Sequence, residues 1–422
     1  MRLKSLSVEN VRSFLAPTTV CFDGPISIVI GPNGGGKTNL LDALVMTMNR
    51  HLSTVQYPEH TPTQEQQDRH EMRPNQVRGQ LRLEKHSSAK DRDQSVALEF
   101  EITPRDIDNL VQMRDGAADL FERASRKYAA LPHKGFTAWD LSRISAGRSF
   151  TVHVKNDAMQ PVSQKEDQIL LDYLNHFHTD AYLREEFGLG KLSTPLLYLP
   201  TTRTAQALSP SIGLTGYNEI DMRRQADGTT SRNMYSVVTA AAGKLAKTYR
   251  LLLDDFGSST MEQLLSDPNL KALTETLRSL GYEWTLTTIN KLTNEYELSL
   301  SKHGSAFPAN SASSGEREIL TYLLAIYVLN VRDALIVIDE PELHLHPQWQ
   351  RTLLRLFLRL AASTGNQFVF ATHSPTFVSP ESVRYVTRVY SEEQQSRTHR
   401  LDAAALPDAR QLLQIVNSQN NE

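Results

Sequence analysis

The sequence predicts an α/β protein with a mixed, largely parallel central sheet, antiparallel strands near the N-terminus and a mostly helical insert. Three short apolar segments are typical of buried strands, namely ISIVI (26–30), ALIVIDEP (334–341) and QFVFATHSP (367–375). A segment with apolar residues three and four apart follows each of the first two, which is typical of helices. Because strands that alternate with helices pair in parallel, these segments predict the central sheet.

Antiparallel strands are predicted on both sides of the first of these segments. Residues 6–8 and 20–22 alternate apolar with polar side chains, as half-buried strands do. Residues 77–83 and 96–102 alternate in the same way around the turn sequence HSSAKDRD. We expect these two segments to pair with each other as a hairpin.

The insert is predicted from helical spacing of apolar residues, interrupted by the short apolar strand PLLYLPTTR (195–203) and followed by a second hairpin over residues 282–302. No heptad pattern persists for long enough to form an extended coiled-coil arm. The predicted divisions are an N-terminal lobe with the glycine loop (1–104), a helical insert that is a candidate assembly surface (105–280), a C-terminal lobe (281–395), and a tail or a join to a further domain (396–422).

Composition restricts the class of protein. The net charge is −3, so no overall basic field attracts nucleic acid, and any DNA contact requires a local patch. Cys21 is the single cysteine, which excludes an intrachain disulfide and a C-x-x-C motif. The N-terminal segment lacks the apolar stretch of a signal peptide, and no apolar run approaches the roughly 18 residues of a membrane span. We expect a cytoplasmic protein with no membrane partner.

The loop GPNGGGKT (31–38) matches the pattern G-x-x-x-x-G-K-[ST], between a predicted strand and a predicted helix. Glycines let backbone N–H groups converge on phosphate oxygens, and the helix N-terminus adds the positive end of its dipole. We expect Lys37 to reach the β- and γ-phosphates of ATP, and the Thr38 hydroxyl to bind Mg²⁺. The predicted nucleotide-binding residues here are Gly31, Pro32, Asn33, Gly34, Gly35, Gly36, Lys37, Thr38 and Asn39.

Two adjacent carboxylates, Asp339 and Glu340, end the apolar segment ALIVIDEP. The carboxyl ends of parallel strands form the edge at which α/β sheets bind ligands. We expect Asp339 to hold Mg²⁺ together with Thr38. Glu340 is predicted to orient and polarise the attacking water.

The segment ASSGEREIL (312–320) has two interpretations. Ser313 and Glu316 have the spacing of a capping box at the start of an apolar helix. The same helix start could also bind an anion, with the Ser313 hydroxyl and the N–H groups of Ser314 and Gly315 facing a γ-phosphate. Both interpretations can hold at once.

Histidines follow two of the predicted strands. His373 follows QFVFAT; a lone histidine at a sheet edge is more often a structural partner, but its place after the strand with two carboxylates favours a γ-phosphate sensor. His344 and His346 have no third ligand nearby in the sequence, so we interpret their segment as an interface loop instead of a metal site.

In this order, the four motifs resemble the P-loop, signature, Walker B with D-loop, and switch histidine of ABC-type ATPases. The segments GPNGGGKTNLLDAL, SSGER and DEPELHLHP most resemble the ATPase part of the OLD (overcoming lysogenization defect) family, with RecF-like and SMC-like proteins as cousins. The resemblance implies a P-loop NTPase fold of the ABC type, with ATP and Mg²⁺ as cofactors. It also implies that Arg12, in the opening segment VENVRSF, lies close to the nucleotide.

The resemblance further implies self-association. In ABC-type ATPases the signature of one protomer completes the ATP site of another, so Ser313 and Gly315 are expected to act in trans. The expected state is a homo-oligomer, at least an ATP-dependent dimer. Affinity between the protomers then depends on the γ-phosphate, which hydrolysis removes.

One departure from the OLD pattern concerns the effector. OLD proteins carry a C-terminal Toprim nuclease, and no Toprim-like acidic cluster stands in this sequence, which ends in LLQIVNSQNNE. Either the sequence is cut before that domain or the nuclease, or another effector, is a separate chain. The leading hypothesis is an ATPase that couples nucleotide state to a nuclease effector in anti-phage defence, with no nuclease activity of its own.

Two other hypotheses remain. A RecF-like or SMC-like DNA-repair clamp needs a basic face, but the clusters RDIDNLVQMRDG, ERASRKY and DMRRQ mix bases with acids, which is typical of a solvated helix surface. A transporter's ATPase subunit is disfavoured by the 276 residues that separate Lys37 from Ser313.

Overall fold

A computed structural model describes residues 1–52, 56–59, 70–74, 82–129, 131–190, 192–193, 195–201, 209, 211–215, 237–343 and 345–401. The strands are β1 (Arg2–Glu9), β2 (Thr18–Cys21), β3 (Ile26–Ile30), β4 (Gln56–Glu59), β5 (His70–Pro74), β6 (Ser95–Glu101), β7 (Tyr128–Ala129), β8 (Ser149–Lys155), β9 (Ala158–Met159), β10 (Leu196–Leu199), β11 (Ile212–Gly213), β12 (Glu283–Asn290), β13 (Glu295–Lys302), β14 (Ser305–Pro308), β15 (Leu335–Asp339), β16 (Gln367–Thr372), β17 (Val386–Glu392) and β18 (Gln395–Arg400). The α-helices are α1 (Lys37–Thr47), α2 (Pro104–Ala124), α3 (Lys165–Glu186), α4 (Val237–Phe256), α5 (Thr260–Leu264), α6 (Pro268–Ser279), α7 (Ser314–Val328) and α8 (Pro347–Thr364).

The central sheet has the strand order β10-β15-β16-β3-β17-β18. Strands β15, β16, β3 and β17 pair in parallel, and β18 pairs antiparallel with β17. Every residue of β3, β15 and β16 is buried, which explains why these segments are apolar throughout instead of alternating. The predicted α/β class with a mixed central sheet is confirmed.

A second, antiparallel sheet has the order β2-β1-β6-β8-β9. The predicted hairpin between residues 77–83 and 96–102 is not seen in the described part of the chain. Strand β6 pairs with β1 on one side and with β8 on the other, residues 82–86 are not in a strand, and residues 77–81 lie outside the described residues. Alternation shows only that one face of β6 is buried, so it could not identify β8, a strand within the predicted insert, as the partner.

Two smaller sheets complete the described strands. One has the order β11-β13-β12 with β14 also on β13, and the other has the order β4-β5-β7. The hairpin predicted over residues 282–302 is the antiparallel pair β12 and β13. The predicted strand at 195–203 corresponds to β10, although Arg203 lies outside the described residues.

Contacts divide the chain into two compact units. One comprises Met1–Tyr198, Asp333–Pro341 and Phe357–Glu422, and the other comprises Leu199–Arg332 and Glu342–Leu356. The boundaries predicted at residues 104, 280 and 395 stay a prediction. Within the described ranges, no helix has the length and apolar character needed to cross a membrane.

Candidate functional site

The loop between β3 and α1 requires glycine for two different reasons. A Cβ atom on Gly31 would lie 1.9 Å from the backbone oxygen of Val389 on β17. Gly36 has a φ of 109°, which L-residues with a side chain rarely adopt, and a Cβ there would lie 2.2 Å from Ser396 Oγ. The glycines therefore let β17 and β18 approach the back of the loop.

Lys37 begins α1 and is buried, with 5% of its surface exposed. Its Nζ donates to the carbonyl oxygens of Gly31 and Pro32, each at 3.0 Å, and lies 3.2 Å from His373 Nδ1. The ammonium group therefore lies over its own loop and beside the end of β16. This is the position from which a cation can meet a phosphate held by the loop.

Thr38 and Asp339 bring two oxygen ligands together. The Thr38 hydroxyl donates to Asp339 Oδ2 at 3.1 Å, and Asp339 is the buried last residue of β15. Mg²⁺ prefers oxygen ligands and is commonly held by one or two carboxylates together with substrate phosphates. A hydroxyl and a carboxylate in contact beside the loop fit that ion.

Glu340 and His373 meet at the same edge of the sheet. His373 Nε2 lies 3.0 Å from Glu340 Oε1, and both side chains are about one-quarter exposed. Glu340 has a φ of 50°, and its N–H donates to the Ala371 carbonyl oxygen of β16 at 2.8 Å. This left-handed backbone conformation ends the extended course of β15 at Glu340, and the next residue is Pro341.

The contacts of His373 place a proton on Nε2 and leave Nδ1 with two neighbours of opposite kind. Lys37 Nζ, at 3.2 Å, can only donate to Nδ1, and the Gly31 carbonyl oxygen, at 3.1 Å, can only accept from it, so the assignment rests on Nε2, whose neighbour Glu340 Oε1 accepts as a carboxylate. From Nε2 the proton is donated to Glu340 Oε1. His373 thus links the lysine of the loop to the carboxylate predicted to activate water.

Other predicted nucleotide-binding residues lie around this cluster. Asn33 is exposed in the loop, and Asn39 Nδ2 donates to Ser13 Oγ at 2.8 Å. The Arg12 side chain is 6% exposed, its guanidinium pairs with the buried Asp42 of α1, and it also contacts the sulfur of Met46. The structure therefore places Arg12 against the side of α1 and not within the cluster of Lys37 and its partners.

Ser13 and Ser396 support the loop but were not identified from sequence. Ser396 Oγ donates to the Gly35 carbonyl oxygen at 2.7 Å, and its N–H donates to the Ser13 carbonyl oxygen at 2.6 Å. Ser13 directly follows Arg12, so the opening motif could have indicated it. Nothing local marks Ser396, because it lies on β18, which pairs with β17, and β17 in turn pairs with β3.

In the second unit, Ser313 is the N-cap of α7. Its hydroxyl accepts from the Glu316 N–H at 3.4 Å, and Glu316 Oε2 accepts from the Ser313 N–H at 2.7 Å, so the predicted capping box is present. Ser314 is exposed, and a Cβ on Gly315 would lie 3.3 Å from Leu345 and 3.5 Å from Trp349. The segment from Ser313 to Gly315 is therefore an ordered helix start packed on the beginning of α8.

The clusters considered as a basic face are neutralised where the structure describes them. On α2, Arg114 pairs with Asp115 and Arg123 with Asp119, and Arg126, just after the helix, pairs with Glu122. The cluster DMRRQ (221–225) lies outside the described residues. Helix α2 is thus a mixed, solvated surface and offers no basic stripe to DNA.

The sequence of this chain matches one protein family and short segments of known proteins. The sequence profile of a family described as an AAA ATPase domain matches residues 1–378. The chromosome partition protein Smc of Mycobacterium tuberculosis is 52% identical over 48 residues, which cover 11% of this chain and 4% of that protein. Smc of Halothermothrix orenii is 46% identical over 44 residues, 10% of this chain and 4% of that protein, so the matched segments are a small part of either relative.

Solved structures with a similar trace include two SMC heads. The SMC head domain from Thermotoga maritima has a TM-score of 0.42 and 14% identity, and covers 95% of this chain and 100% of that one. The Smc head domain with an extended coiled coil bound to the C-terminal domain of ScpA, from Pyrococcus furiosus, has a TM-score of 0.41 and 12% identity, and covers 94% and 96%.

Proposed function

This chain belongs to the AAA ATPase domain family, and from that premise we propose that it is an ABC-type ATPase that binds and hydrolyses Mg²⁺-ATP between self-associated protomers. The proposal includes the assignment of its motifs to the OLD family. It also includes the coupling of nucleotide state to a nuclease effector, a Toprim protein or another nuclease, in cytoplasmic anti-phage defence.

One observation carries the catalytic part of this proposal. Lys37, Thr38, Asp339, Glu340 and His373 come from three segments of the chain that are far apart in sequence. They meet at the carboxyl ends of β3, β15 and β16, which are neighbours in the central sheet. A structural role does not require a lysine, two carboxylates and a histidine at one edge, whereas phosphoryl transfer requires charge neutralisation and a base at one place.

Binding of ATP follows from the loop. The backbone N–H groups of residues 33–36 and the start of α1 would face the phosphates, and Lys37 would neutralise their charge. When bound, Mg²⁺ supplies positive charge to the β- and γ-phosphate oxygens. Thr38 Oγ1 and Asp339 Oδ2 would hold it.

Hydrolysis follows from Glu340. A water attacks the γ-phosphorus, the bond to the oxygen that bridges the β- and γ-phosphates breaks, and ADP leaves with that electron pair. The Glu340 carboxylate orients this water and accepts its proton. The His373 Nε2–H, bonded to Glu340 Oε1 at 3.0 Å, holds the carboxylate in position.

A mixing experiment tests the composite site. Lys37→Ala should abolish ATP binding, and Ser313→Arg should bind ATP but fail to hydrolyse it, because its helix start can no longer complete the partner's site. Mixed dimers of the two variants have one site with an intact Lys37 and an intact Ser313. An equal mixture should therefore recover roughly a quarter of the parental rate.

Two outcomes would contradict this proposal. If Ser313→Arg hydrolyses ATP like the parent, the signature does not act in catalysis. If it is inactive and the mixture recovers nothing, Ser313 acts within its own protomer. Glu340→Gln gives an independent check, because a variant that binds ATP but does not hydrolyse it is expected, and normal hydrolysis refutes the assignment of the base.

The effector part is supported by the resemblance of the motifs to the OLD family. The chain alone, with ATP and Mg²⁺ or Mn²⁺, should leave supercoiled plasmid intact at every protein concentration tested. Cleavage that persists in Lys37→Ala and through a second purification step would show a nuclease within the chain and contradict a separate effector.

A DNA clamp of the SMC-like or RecF-like type is a second candidate, favoured by one feature of α8. Arg351, Arg355 and Arg359 recur every four residues and are exposed, and the helix contains no acidic residue. No ion pair joins any of them to a residue in the described ranges, in contrast to the paired arginines on and just after α2. Arginines at this spacing share one helix face and can contact successive phosphates.

Light scattering coupled to size exclusion separates the two candidates. Glu340→Gln is run with and without Mg²⁺-ATP, and then with a short duplex DNA. A mass increase with ATP alone supports the nucleotide-gated assembly. A mass that changes only when DNA is present, and no longer changes in Arg355→Glu, supports the clamp.

A further inference from the structure

The start of α7 is tied to the hairpin of β12 and β13 by two residues that the proposed mechanism does not use. Tyr282 Oη donates to Glu316 Oε1 at 2.6 Å. Lys302 Nζ donates to Tyr282 Oη at 2.7 Å and lies 3.7 Å from Glu316 Oε1. The other oxygen of Glu316 accepts from the Ser313 N–H, so a continuous chain of hydrogen bonds runs from Lys302 to the signature serine.

Tyr282 and Lys302 lie at one end of the β12–β13 hairpin, which is anchored to a helix. Tyr282 immediately precedes β12, Lys302 is the last residue of β13, and the register places Glu283 opposite Ser301. Both residues are thus at the same end of the hairpin. The Trp284 indole N–H donates to Thr274 Oγ1 of α6 at 2.9 Å, which anchors that end to a helix.

The network keeps Glu316 ionised. Partial burial raises the pKa of a carboxyl group, but the hydrogen bonds from Tyr282 and Ser313 and the charge of Lys302 outweigh burial and lower the pKa of Glu316. The hydrogen bond to Tyr282 is the largest contribution to the raised pKa of Lys302. At neutral pH the carboxylate is therefore charged and can hold the Ser313 N–H firmly.

An ionised carboxylate at this helix start has a cost for the proposed function. The same helix start is expected to meet the γ-phosphate of a second copy, and two negative charges repel each other. Lys302 Nζ lies 3.7 Å from Glu316 Oε1, so its ammonium group offsets the carboxylate charge, and the Tyr282 hydroxyl stabilises that charge by donating a hydrogen bond to it. The cap can thus be strong without making the anion site negative.

We infer that Tyr282 and Lys302 are positioning residues, which hold Glu316 so that Ser313 is presented in a fixed orientation, with its local charge balanced, to the γ-phosphate of a second copy of this chain. This inference rests on the proposed function. It assigns a task to the β12–β13 hairpin that no motif in the sequence indicates.

The test uses Tyr282→Phe and Lys302→Met in the full chain. Two control variants are matched to them: Tyr327→Phe removes another tyrosine hydroxyl bond, to Thr276, and Lys291→Met removes an exposed lysine at the turn of the same hairpin. Nucleotide binding to dilute protein, the rate at saturating ATP, and the protein concentration for half-maximal rate are measured for each variant.

For Tyr282→Phe and Lys302→Met we expect nucleotide binding within about twofold of the parent and a hydrolysis rate lowered about tenfold, since Lys302→Met loses one charge-assisted hydrogen bond of the network and Tyr282→Phe loses two. The half-maximal protein concentration should rise. The controls should stay within about twofold on all three measurements. In a Glu316→Gln background, which keeps the capping box but not the charge, Lys302→Met should cost less than about twofold.

The outcomes separate this inference from the proposed function. If Ser313→Arg is inactive but Tyr282→Phe and Lys302→Met hydrolyse ATP like the parent, the positioning role is refuted and the composite site stands. If rates fall only in proportion to the folded fraction, or if Lys302→Met costs the same in the Glu316→Gln background as in the parent, the two residues are merely structural and the inference is wrong. If Ser313→Arg is fully active, both proposals fail together.

Discussion

Gly31→Ala tests the geometry of the phosphate loop most directly. The new Cβ would lie 1.9 Å from the Val389 carbonyl oxygen, and real Cβ atoms essentially never approach another heavy atom closer than 3.0 Å. The loop or β17 must therefore move by more than an ångström. Val389 is fully buried, and the neighbouring Arg388 is in register with Ile30 of β3, so β17 is not free to move.

The expected losses of stability and of hydrolysis rate can be worked out if the loop, and not β17, moves to relieve the clash. Forcing an extra methyl group into a packed site typically costs about 1–3 kcal/mol of unfolding free energy. A displacement of about 1 Å in a group that positions phosphate costs roughly a hundredfold in rate. We therefore expect Gly31→Ala to unfold at lower denaturant concentration and to hydrolyse ATP about a hundredfold more slowly than the parent.

Gly135→Ala is the matched control. A Cβ there meets no atom within 4 Å, and its φ is not in the left-handed range, so the substitution should be neutral or stabilise by about 0.4–1 kcal/mol. Guanidinium unfolding followed by fluorescence gives the stability of both variants. A coupled assay for ADP release at saturating ATP gives the rate.

A single result refutes the reasoning. If Gly31→Ala unfolds and hydrolyses ATP like Gly135→Ala, then β17 does not press against the loop as described. If stability falls but the rate does not, the clash is relieved in β17, and the loop is less sensitive to position than we argue.

Three further predictions concern hydrogen-bonding side chains. Ser396→Ala removes the donor to the Gly35 carbonyl oxygen, should cost about 1 kcal/mol, and should weaken ADP binding about fivefold by calorimetry; unchanged affinity would show that the loop does not need this bond. Gln367→Leu leaves one buried N–H and two carbonyl groups of β1 and the Phe22 segment without the amide, and should lower the unfolding free energy by about 3 kcal/mol in urea, whereas a loss below about 1 kcal/mol contradicts this. Because the pKa of Glu316 is lowered from 4.5, the stability that the parent has over Glu316→Gln should be present above pH 4.5 and disappear as the pH falls below it; a difference that persists at about pH 3 in thermal unfolding counts against the ionised cap.

Local sequence patterns predicted the elements that carry the site. The fully apolar segments became the buried strands β3, β15 and β16, and the spacing of Ser313 and Glu316 became a capping box. These features depend on side chains within a few residues of one another. Periodicity and caps are therefore visible without knowledge of the fold.

Partners distant in sequence were not predicted. Strand β6 was expected to pair with residues 77–83, but it lies between β1 and β8. The sequence indicated Arg12 but not its ion-pair partner, Asp42 on α1, and the expected place of Arg12 close to the nucleotide stays a prediction. In each case the residues show that a partner is needed, for a buried strand face or for a guanidinium, but they do not show which one.

The sequence by itself determined four local features: a phosphate loop, a strand ending in two carboxylates, a capped helix, and a histidine at a strand end. Each of these features depends only on residues that are consecutive or a few positions apart. Only the tertiary structure decided that Lys37 contacts His373, 336 positions later, that His373 contacts Glu340, and that Ser396 donates to the Gly35 carbonyl oxygen of the loop. The order of strands in the central sheet sets these contacts. That order results from the packing of the whole chain, and no short stretch of residues encodes it.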